Sequence, residues 1–228
     1  MNNRFDMEEK VHNTSLCNEN KRITKIVITG GPCGGKTTAM TRIKTEFEKL
    51  GYRVLFIPET ATELISGGVA PWTCASNLEF QKCQVALQKE KERIFEKAAS
   101  TMTDSKILIV CDRGVLDNKA YMTQEEFDIV MESLGTSEDF ERDRYGAVFH
   151  MVTAANGARE AYTLANNEAR YETPEEAVEV DNRVLACWEG HPHLRVIDNT
   201  STFEDKLHRV ILEIASYLCE PDPTDLHS

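Results

Sequence analysis

Five short, continuously apolar runs constrain the fold of this 228-residue chain more than any other feature. They occupy residues 25–29, 53–57, 106–111, 147–153 and 194–197. Each run is followed by helical periodicity, and continuous apolar character is typical of parallel strands that are buried on both faces. Because crossovers between parallel strands are right-handed, this order predicts a three-layer α/β domain with a five-stranded parallel sheet between helices.

Helix start signals support this order. A helix is expected over residues 36–50, ending at Gly51, and a short one over 60–66. Ser76, Thr123 and Thr173 each stand three residues before a glutamate, which is the spacing of a capping box. These signals predict helices over 76–99, from 123 up to residue 135, and from 173 to Gly190. A last helix is indicated by the apolar stripe Leu207, Val210, Ile211, Ile214 and Leu218.

The loop after the first run carries the strongest chemical signal. Its sequence GGPCGGKT, residues 30–37, fits G-x-x-x-x-G-K-[ST] between a buried strand and a helix. Glycines let backbone N–H groups and the helix N-terminus approach a phosphate. The loop therefore predicts a triphosphate cradle, with a glycine-rich structural turn as the alternative. Lys36 is expected to reach the phosphates and Thr37 to bind Mg²⁺, while the rest of the cradle is Gly31, Pro32, Cys33, Gly34 and Gly35.

Charged residues follow the next two apolar runs. Asp112 comes directly after the third run, where a carboxylate can hold a water molecule bound to Mg²⁺. Arg113 can bind a phosphate bidentately, and the alternative for both residues is a surface ion pair. Glu59 is a candidate general base or ligand of a substrate hydroxyl, or else a solvated glutamate at a helix N-terminus.

Polar residues also follow the fourth and fifth runs. Arg159 and Arg170 are eleven residues apart, a spacing that returns to nearly the same face of a helix. Both can then neutralise charge during phosphoryl transfer, and solvated surface arginines are the alternative. Asn199 is a candidate for lining a purine pocket. Alternatively, its segment only caps the last helix, for which Thr202 is the expected N-cap.

Two further residue types carry weaker signals. Cys33 lies inside the glycine-rich loop, where a passive role is favoured over redox control. Trp72 and Trp188 are expected to be packing residues.

Composition narrows the classes of partner and the compartment. A net charge of -12 without an obvious basic patch argues against nucleic acid as a partner. No apolar run is long enough to predict a membrane span, and residues 1–21 lack the apolar core of a signal peptide. The seven cysteines contain no CxxC pair and predict reduced thiols in the cytoplasm. We expect a flexible arm (1–21), one nucleotide-binding domain (22–219) and a flexible tail (220–228).

Four stretches together resemble one P-loop family: residues 28–38, 111–122, 150–158 with 162–164, and 190–199. This is the AAA-type ATPase domain shared by NadR-like nicotinamide-riboside kinases and TRPL-translocation-defect proteins, and the resemblance is closer to the latter. It covers residues 22–218 and implies a nucleoside-monophosphate-kinase-like core that binds ATP or GTP. The resemblance also implies a magnesium-side role for Asp112, a helical lid around residues 159–170, and phosphate-loop roles for Gly35, Lys36, Thr37 and Thr38.

Two departures limit what the resemblance implies. The animal translocation-defect proteins carry a further C-terminal domain with lipid-related roles, so membrane and lipid functions are not expected of this chain. A guanine-reading Asn-Lys-x-Asp motif is not formed at Asn118, because Tyr121 stands at the fourth position.

The leading functional hypothesis is a cytoplasmic, Mg²⁺-dependent P-loop NTPase with a kinase-like site. It would transfer the γ-phosphate of ATP or GTP to an unknown small-molecule acceptor, or to water. A kinase needs an acceptor pocket, which we expect Glu59, Arg113 and the loop 67–72 to form. The alternative is a nucleotide-gated binding module or switch that acts on a protein partner with little catalysis.

Overall fold

The structure, a computed structural model, describes residues 21–157 and 173–219. Within these ranges, five parallel strands form one sheet in the order β2-β3-β1-β4-β5. The strands are β1 (Arg22–Thr29), β2 (Arg53–Ile57), β3 (Lys106–Asp112), β4 (Ala147–Met151) and β5 (Leu194–Ile197).

Seven α-helices and one 3₁₀-helix lie between or after these strands in the part of the chain that the structure describes. The 3₁₀-helix spans Val115–Tyr121. The α-helices are α1 (Lys36–Lys49), α2 (Thr60–Ser66), α3 (Asn77–Thr101), α4 (Gln124–Ser133), α5 (Glu138–Asp143), α6 (Pro174–Ala186) and α7 (Phe203–Cys219). None of these described helices is long and apolar enough to cross a membrane.

The predicted helix starts are confirmed at their caps. The hydroxyl oxygens of Ser76, Thr123 and Thr173 each accept the backbone N–H three residues further on, at 3.2 Å. The 3₁₀-helix and α5 were not predicted, because elements this short contain too few turns to show helical periodicity.

The sheet is buried on both faces, which confirms the predicted three-layer α/β architecture. Ile26 and Ile28 of β1 pack in one core cluster with apolar residues of α1 and α7. Val27, between them in sequence, points to the opposite face and packs in a second cluster with residues of α3, α4 and α6. All three side chains are 0 % exposed. The continuous apolar runs therefore reflect strands whose alternate side chains enter two different cores.

Several element ends differ from those predicted. β1 begins three residues earlier than residue 25, at Arg22. β4 ends at Met151, although the N–H of Val152 still donates to the carbonyl of Ile197 on β5 at 3.0 Å. Thr153 then leaves the sheet, and its hydroxyl donates to the carbonyl of Pro32 at 2.5 Å. The helix expected to end at Gly190 ends at Ala186.

The sequence predictions for residues 1–20, 158–172 and 220–228 lie outside the described residues. They concern the flexible arm up to residue 20, the flexible tail, and the helical lid around residues 159–170 with Arg159 and Arg170.

Trp188 packs beneath the loop that follows β3. It is 0 % exposed, its ring contacts that of Tyr145 edge-on with centroids 5.4 Å apart, and its Nε1 donates to Asp117 at 2.6 Å. A Cβ on Gly114 would lie 2.5 Å from Cζ2 of this indole. The predicted packing role of Trp188 is confirmed. The same prediction for Trp72 is wrong, because that side chain is 74 % exposed in the loop between α2 and α3.

We predict that Gly114→Ala lowers the free energy of unfolding by about 1–3 kcal/mol, because the added methyl group overpacks against the Trp188 indole. Gly67→Ala is the matched control. A Cβ at Gly67 would meet its nearest atoms at 3.4 Å, so a change within about 0.5 kcal/mol is expected. Urea unfolding measures both, and equal effects of the two substitutions would contradict the tight contact.

Candidate functional site

The glycine-rich loop turns between the end of β1 and the start of α1. Gly30 has φ 133°, and a Cβ there would lie 2.1 Å from the carbonyl oxygen of Met151. Gly35 has φ 88°, and its Cβ would lie 2.6 Å from the ring of Phe203. Both the backbone conformation and the space therefore require glycine at these two positions. Gly34 is buried between them, so the loop closes tightly against the ends of β4 and α7.

Lys36 folds back over the loop to which it belongs. It is 8 % exposed, and its Nζ donates to the carbonyl oxygens of Gly30 and Gly31 at 2.9 and 2.8 Å. Thr37 and Thr38, the next two residues of α1, are exposed. The ammonium group thus lies within the loop, and the two hydroxyl side chains lie at its mouth.

Residues after β4 hold the other side of the loop. Pro32 accepts the Thr153 hydroxyl, and the carbonyl of Cys33 accepts the N–H of Ala154 at 3.3 Å. Cys33 has φ 55°, a left-handed conformation that is uncommon for a side chain of this kind. The loop is therefore kept in an unusual backbone shape by contacts from outside it.

Asp181 on α6 is a loop contact that the sequence analysis missed. Its Oδ1 accepts the N–H of Gly31 at 2.5 Å and lies 3.1 Å from Nε2 of His150 on β4. Burial raises the pKa of Asp181, but His150 and backbone N–H groups together lower it by more. The pKa of Asp181 therefore lies below its usual value. The ionised carboxylate fixes α6 to the loop. The sequence did not indicate this contact, because Asp181 is 150 residues away from Gly31 in the chain.

Asp112 is the last residue of β3 rather than the residue after it. Its Oδ1 is buried and has no hydrogen-bond partner among the described residues. Burial raises the pKa of this carboxyl group, while the charge of Lys36 opposes that shift. A buried carboxylate oxygen without a donor, beside a lysine and a phosphate loop, fits the chemistry of a hydrated Mg²⁺ ion.

Arg113 and Glu59 form an ion pair at the carboxyl ends of β3 and β2. Arg113 has φ 69°, and its backbone N–H donates to the carbonyl of Ile28 at 3.0 Å. Its Nε donates to Oε1 of Glu59 at 2.5 Å, and Oε2 of Glu59 accepts the Thr62 hydroxyl at 2.6 Å. Burial raises the pKa of Glu59, but Arg113, Thr62 and Lys36 together lower it to about 2. Glu59 is therefore ionised throughout the physiological range.

A cavity of about 390 Å³ opens beside this pair. Pro32 of the glycine-rich loop is part of its wall, so the cavity and the loop are neighbours. Glu59, Arg113 and Trp72, which the sequence analysis assigned to one acceptor pocket, all line it. The remaining wall is rich in amides and aromatic rings, supplied by Asn77, Phe80, Gln81, Gln84, Gln88, Asn118 and Tyr121.

Asp117 is a second buried carboxylate that the sequence analysis missed. Both of its oxygens accept the Thr29 hydroxyl at 2.8 Å, and it also accepts Nε1 of Trp188 and the N–H of Gly114. It joins the end of β1 to the segment after β3. Little in the sequence indicated this role, because Asp117 is followed by two further polar residues, Asn118 and Lys119, as in a surface segment.

Asn199 lies after β5, and its amide is engaged by protein groups. Its Nδ2 donates to the carbonyls of Thr153 and Asn156 at 2.7 and 2.6 Å, and its Oδ1 accepts Nζ of Lys206 at 2.7 Å. Asn199 thereby fixes the loop after β4. Thr202 accepts the N–H of residue 205 at 3.2 Å, which confirms it as the N-cap of α7.

Comparison with protein-family models matches residues 25–206 to an AAA domain. The chain belongs to this AAA-domain family of P-loop proteins. The match covers the glycine-rich loop, Asp112, Arg113 and all of the sheet except the first residues of β1. As a member of this family, the protein has a P-loop of the nucleotide-binding type. No curated protein matches the chain.

We predict that Lys36→Ala weakens nucleoside triphosphate binding at least about tenfold without unfolding the protein. Lys36 is a cation on the loop and is not part of either apolar cluster. Its loss should therefore lower the affinity for a bound anion more than the stability of the fold. Lys49→Ala, at the exposed end of α1, is the control and should bind as the parent does. Calorimetry with ATP and GTP measures the affinities, and an unchanged affinity in Lys36→Ala would overturn the phosphate-loop assignment.

Because Glu59 is paired with Arg113, we expect the difference in stability between the parent protein and Glu59→Gln to depend on pH. Because the pKa of Glu59 falls from 4.5 to about 2 on folding, its charge stabilises the folded state above pH 4.5. That contribution is lost as the pH falls towards 2. We expect Glu59→Gln to be less stable than the parent by about 1–3 kcal/mol at pH 7, with a smaller difference at pH 3. Urea unfolding at both pH values measures this, and a difference independent of pH would contradict it.

Proposed function

We propose that this protein is an Mg²⁺-dependent kinase that transfers the γ-phosphate of ATP or GTP to a small hydroxyl-bearing acceptor. The observation that carries the proposal is the cavity beside the phosphate loop, with the Glu59–Arg113 pair in its wall. A protein that only binds or hydrolyses a nucleotide needs no second pocket of about 390 Å³ at this position.

The nucleotide side of the proposal uses the loop residues 31–38. Their backbone N–H groups and the N-terminus of α1 would hold the phosphates, with Lys36 moving from the loop carbonyls onto them. Thr37 and Asp112 would hold Mg²⁺, directly or through water, and the unpartnered Oδ1 of Asp112 supports this assignment. The ion would neutralise negative charge on the phosphate oxygens.

The acceptor side uses Glu59 and Arg113. A hydroxyl oxygen of the acceptor would form a bond to the γ-phosphorus while the bond from that phosphorus to the β–γ bridging oxygen breaks. A carboxylate with a pKa of about 2 is a weak base, but the transition state of phosphoryl transfer is loose and the hydroxyl proton leaves late. Glu59 therefore mainly orients the hydroxyl as a hydrogen-bond acceptor and receives its proton at the end.

Arg113 would contribute charge stabilisation in the same step. Its Nε is bound to Glu59, whereas its Nη1 is buried without a hydrogen-bond partner among the described residues. A guanidinium held this way can donate to the phosphoryl group in transfer. Asn199 would act indirectly, by positioning the loop after β4 beside the nucleotide. The proposal does not depend on Arg159 and Arg170.

We predict slow basal hydrolysis that the right acceptor raises strongly, since acceptor binding completes the site. Glu59→Gln should lower the acceptor-stimulated rate by about 10²–10⁴-fold and leave triphosphate affinity unchanged. Glu63→Gln, on the exposed face of α2, is the matched control. The assay follows phosphate transfer to a panel of nucleosides, nucleotides, nicotinamide riboside and small sugars.

Two results together would overturn the kinase proposal: no acceptor stimulates turnover, and Glu59→Gln behaves like the parent. A nucleotide-gated binding module acting on a protein partner would then take its place.

A further inference from the structure

We propose that Gln88 and Tyr145 are positioning residues that hold Arg113 in the conformation it needs for phosphoryl transfer. They act through Arg113, which is the group that would touch the phosphoryl oxygens. Their effect on the reaction rate rests on the proposed kinase function, whereas the position of Arg113 can be measured without turnover. Three features support this role: the backbone conformation of Arg113, the hydrogen bonds of the turn that follows it, and a buried carboxylate that binds both positioning residues.

The backbone of Arg113 is in the left-handed region, with φ 69°. This conformation is an outlier for a residue with a long side chain, and it persists only where surrounding contacts hold it. The N–H of Arg113 donates to the carbonyl of Ile28 and continues the pairing of β3 with β1. Its carbonyl leaves the sheet and accepts Nε2 of Gln88 at 3.2 Å. The direction of this peptide group therefore depends on Gln88.

The next two backbone N–H groups of the turn are also bound by side chains. The N–H of Gly114 donates to the carboxylate of Asp117 at 3.2 Å. The N–H of Val115, a residue that is 0 % exposed, donates to the hydroxyl oxygen of Tyr145 at 2.9 Å. Asp117 belongs to the same segment, whereas Gln88 lies on α3 and Tyr145 lies just before β4. The last two residues therefore fix the turn relative to the rest of the protein.

The buried carboxylate of Glu92 on α3 orients both positioning residues. Glu92 is 0 % exposed, and its Oε1 accepts the Tyr145 hydroxyl at 2.7 Å and Nε2 of Gln88 at 3.4 Å. Its Oε2 lies 3.0 Å from Nζ of Lys25 and 3.1 Å from the guanidinium of Arg144, which supply compensating positive charge. Because the single hydroxyl proton of Tyr145 is donated to Glu92, the hydroxyl oxygen is left as an acceptor for the turn.

The amide of Gln88 is held at both ends. Its Oε1 accepts Nδ2 of Asn118 at 3.3 Å, while its Nε2 donates to Glu92 and to the carbonyl of Arg113. A flipped amide would place Oε1 against both of these acceptors, so only one orientation satisfies the site. Since Gln88 is 4 % exposed, water has little access to replace these bonds. The donor to the Arg113 carbonyl is thus in place before any ligand binds.

The conformation of Arg113 determines where its guanidinium lies. In the left-handed conformation, Nε donates to Glu59 and the side chain lines the cavity beside the phosphate loop. Because the direction of the Cβ atom depends on φ, a return to negative φ would move the guanidinium away from Glu59. A displacement of about 1 Å in a reacting site can lower the rate about 10²-fold. Loss of either supporting hydrogen bond should therefore slow the reaction although Arg113 is intact.

The Nε–H of Arg113 reports its position without turnover. It is donated to Glu59, so we expect a slowly exchanging signal in a proton–nitrogen NMR correlation spectrum, assigned by its absence in Arg113→Lys. Gln88→Met and Tyr145→Phe each remove one hydrogen bond of the turn and nearly conserve the side-chain volume. In each variant, the hydrogen exchange of this signal should become at least about tenfold faster.

Two further variants control for the substitutions themselves. Gln124 is exposed on α4, and Tyr52 packs against the core cluster of α1 and α7, on the other face of the sheet from Tyr145. Gln124→Met and Tyr52→Phe should therefore leave the Arg113 signal unchanged. Near-ultraviolet circular dichroism verifies that all four variants are folded.

Kinetics separate positioning from a general loss of structure. With an acceptor that stimulates turnover, Gln88→Met and Tyr145→Phe should each lower kcat by roughly 10–10²-fold, while triphosphate affinity stays within about twofold. In an Arg113→Ala background, the same two substitutions should change kcat by less than about twofold, because the group that they position is already absent.

Two outcomes would overturn the inference: an Arg113 signal that is unchanged in Gln88→Met or in Tyr145→Phe, or an equal loss of kcat with and without Arg113. An unchanged signal in a protein that does transfer phosphate would overturn it and leave the kinase proposal standing. Faster exchange in both variants, in a protein that transfers phosphate to no acceptor, would support the positioning of Arg113 and count against the kinase proposal.

Discussion

The buried carboxylate of Asp117 is the interaction on which both halves of the candidate site depend. It accepts the Thr29 hydroxyl at the end of β1, where the phosphate loop begins, and the N–H of Gly114 directly after Arg113. It also accepts the indole N–H of Trp188, which is packed in the core. A carboxylate with this many donors is stable when desolvated. One residue thereby sets the phosphate loop and the arginine of the neighbouring cavity in fixed relation.

Near this centre, the carboxylates of Glu59 and Asp112 lie in different electrostatic environments. Glu59 has an arginine and a hydroxyl and is ionised down to a pH of about 2. Asp112 has no hydrogen-bond donor on its Oδ1 in the described part of the chain, and burial raises its pKa. Carboxylates with pKa values shifted in opposite directions within one site commonly have different tasks. This contrast is what supports a cation near Asp112 and a substrate hydroxyl near Glu59.

Local patterns in the sequence were enough to predict most of the fold. The runs 53–57 and 194–197 became β2 and β5 without change, and the caps at Ser76, Thr123 and Thr173 lie where they were predicted. These features depend on neighbouring residues, so a linear pattern contains them. The predicted ends of elements were less accurate, as at β4, beyond which the Thr153 hydroxyl binds the carbonyl of Pro32, 121 residues away in sequence.

The sequence by itself determined which functional residues follow each strand: a glycine-rich loop after β1, Glu59 after β2, and Asp112 with Arg113 at the end of β3. It did so because parallel strands bring their carboxyl ends to one edge. Only the tertiary structure decided that Asp181 holds the loop from 150 residues away, that Gln88 binds the carbonyl of Arg113, and that Trp72 lines a cavity. Hydrogen bonding and exposure at these positions depend on which distant segments pack together, and no local pattern encodes that.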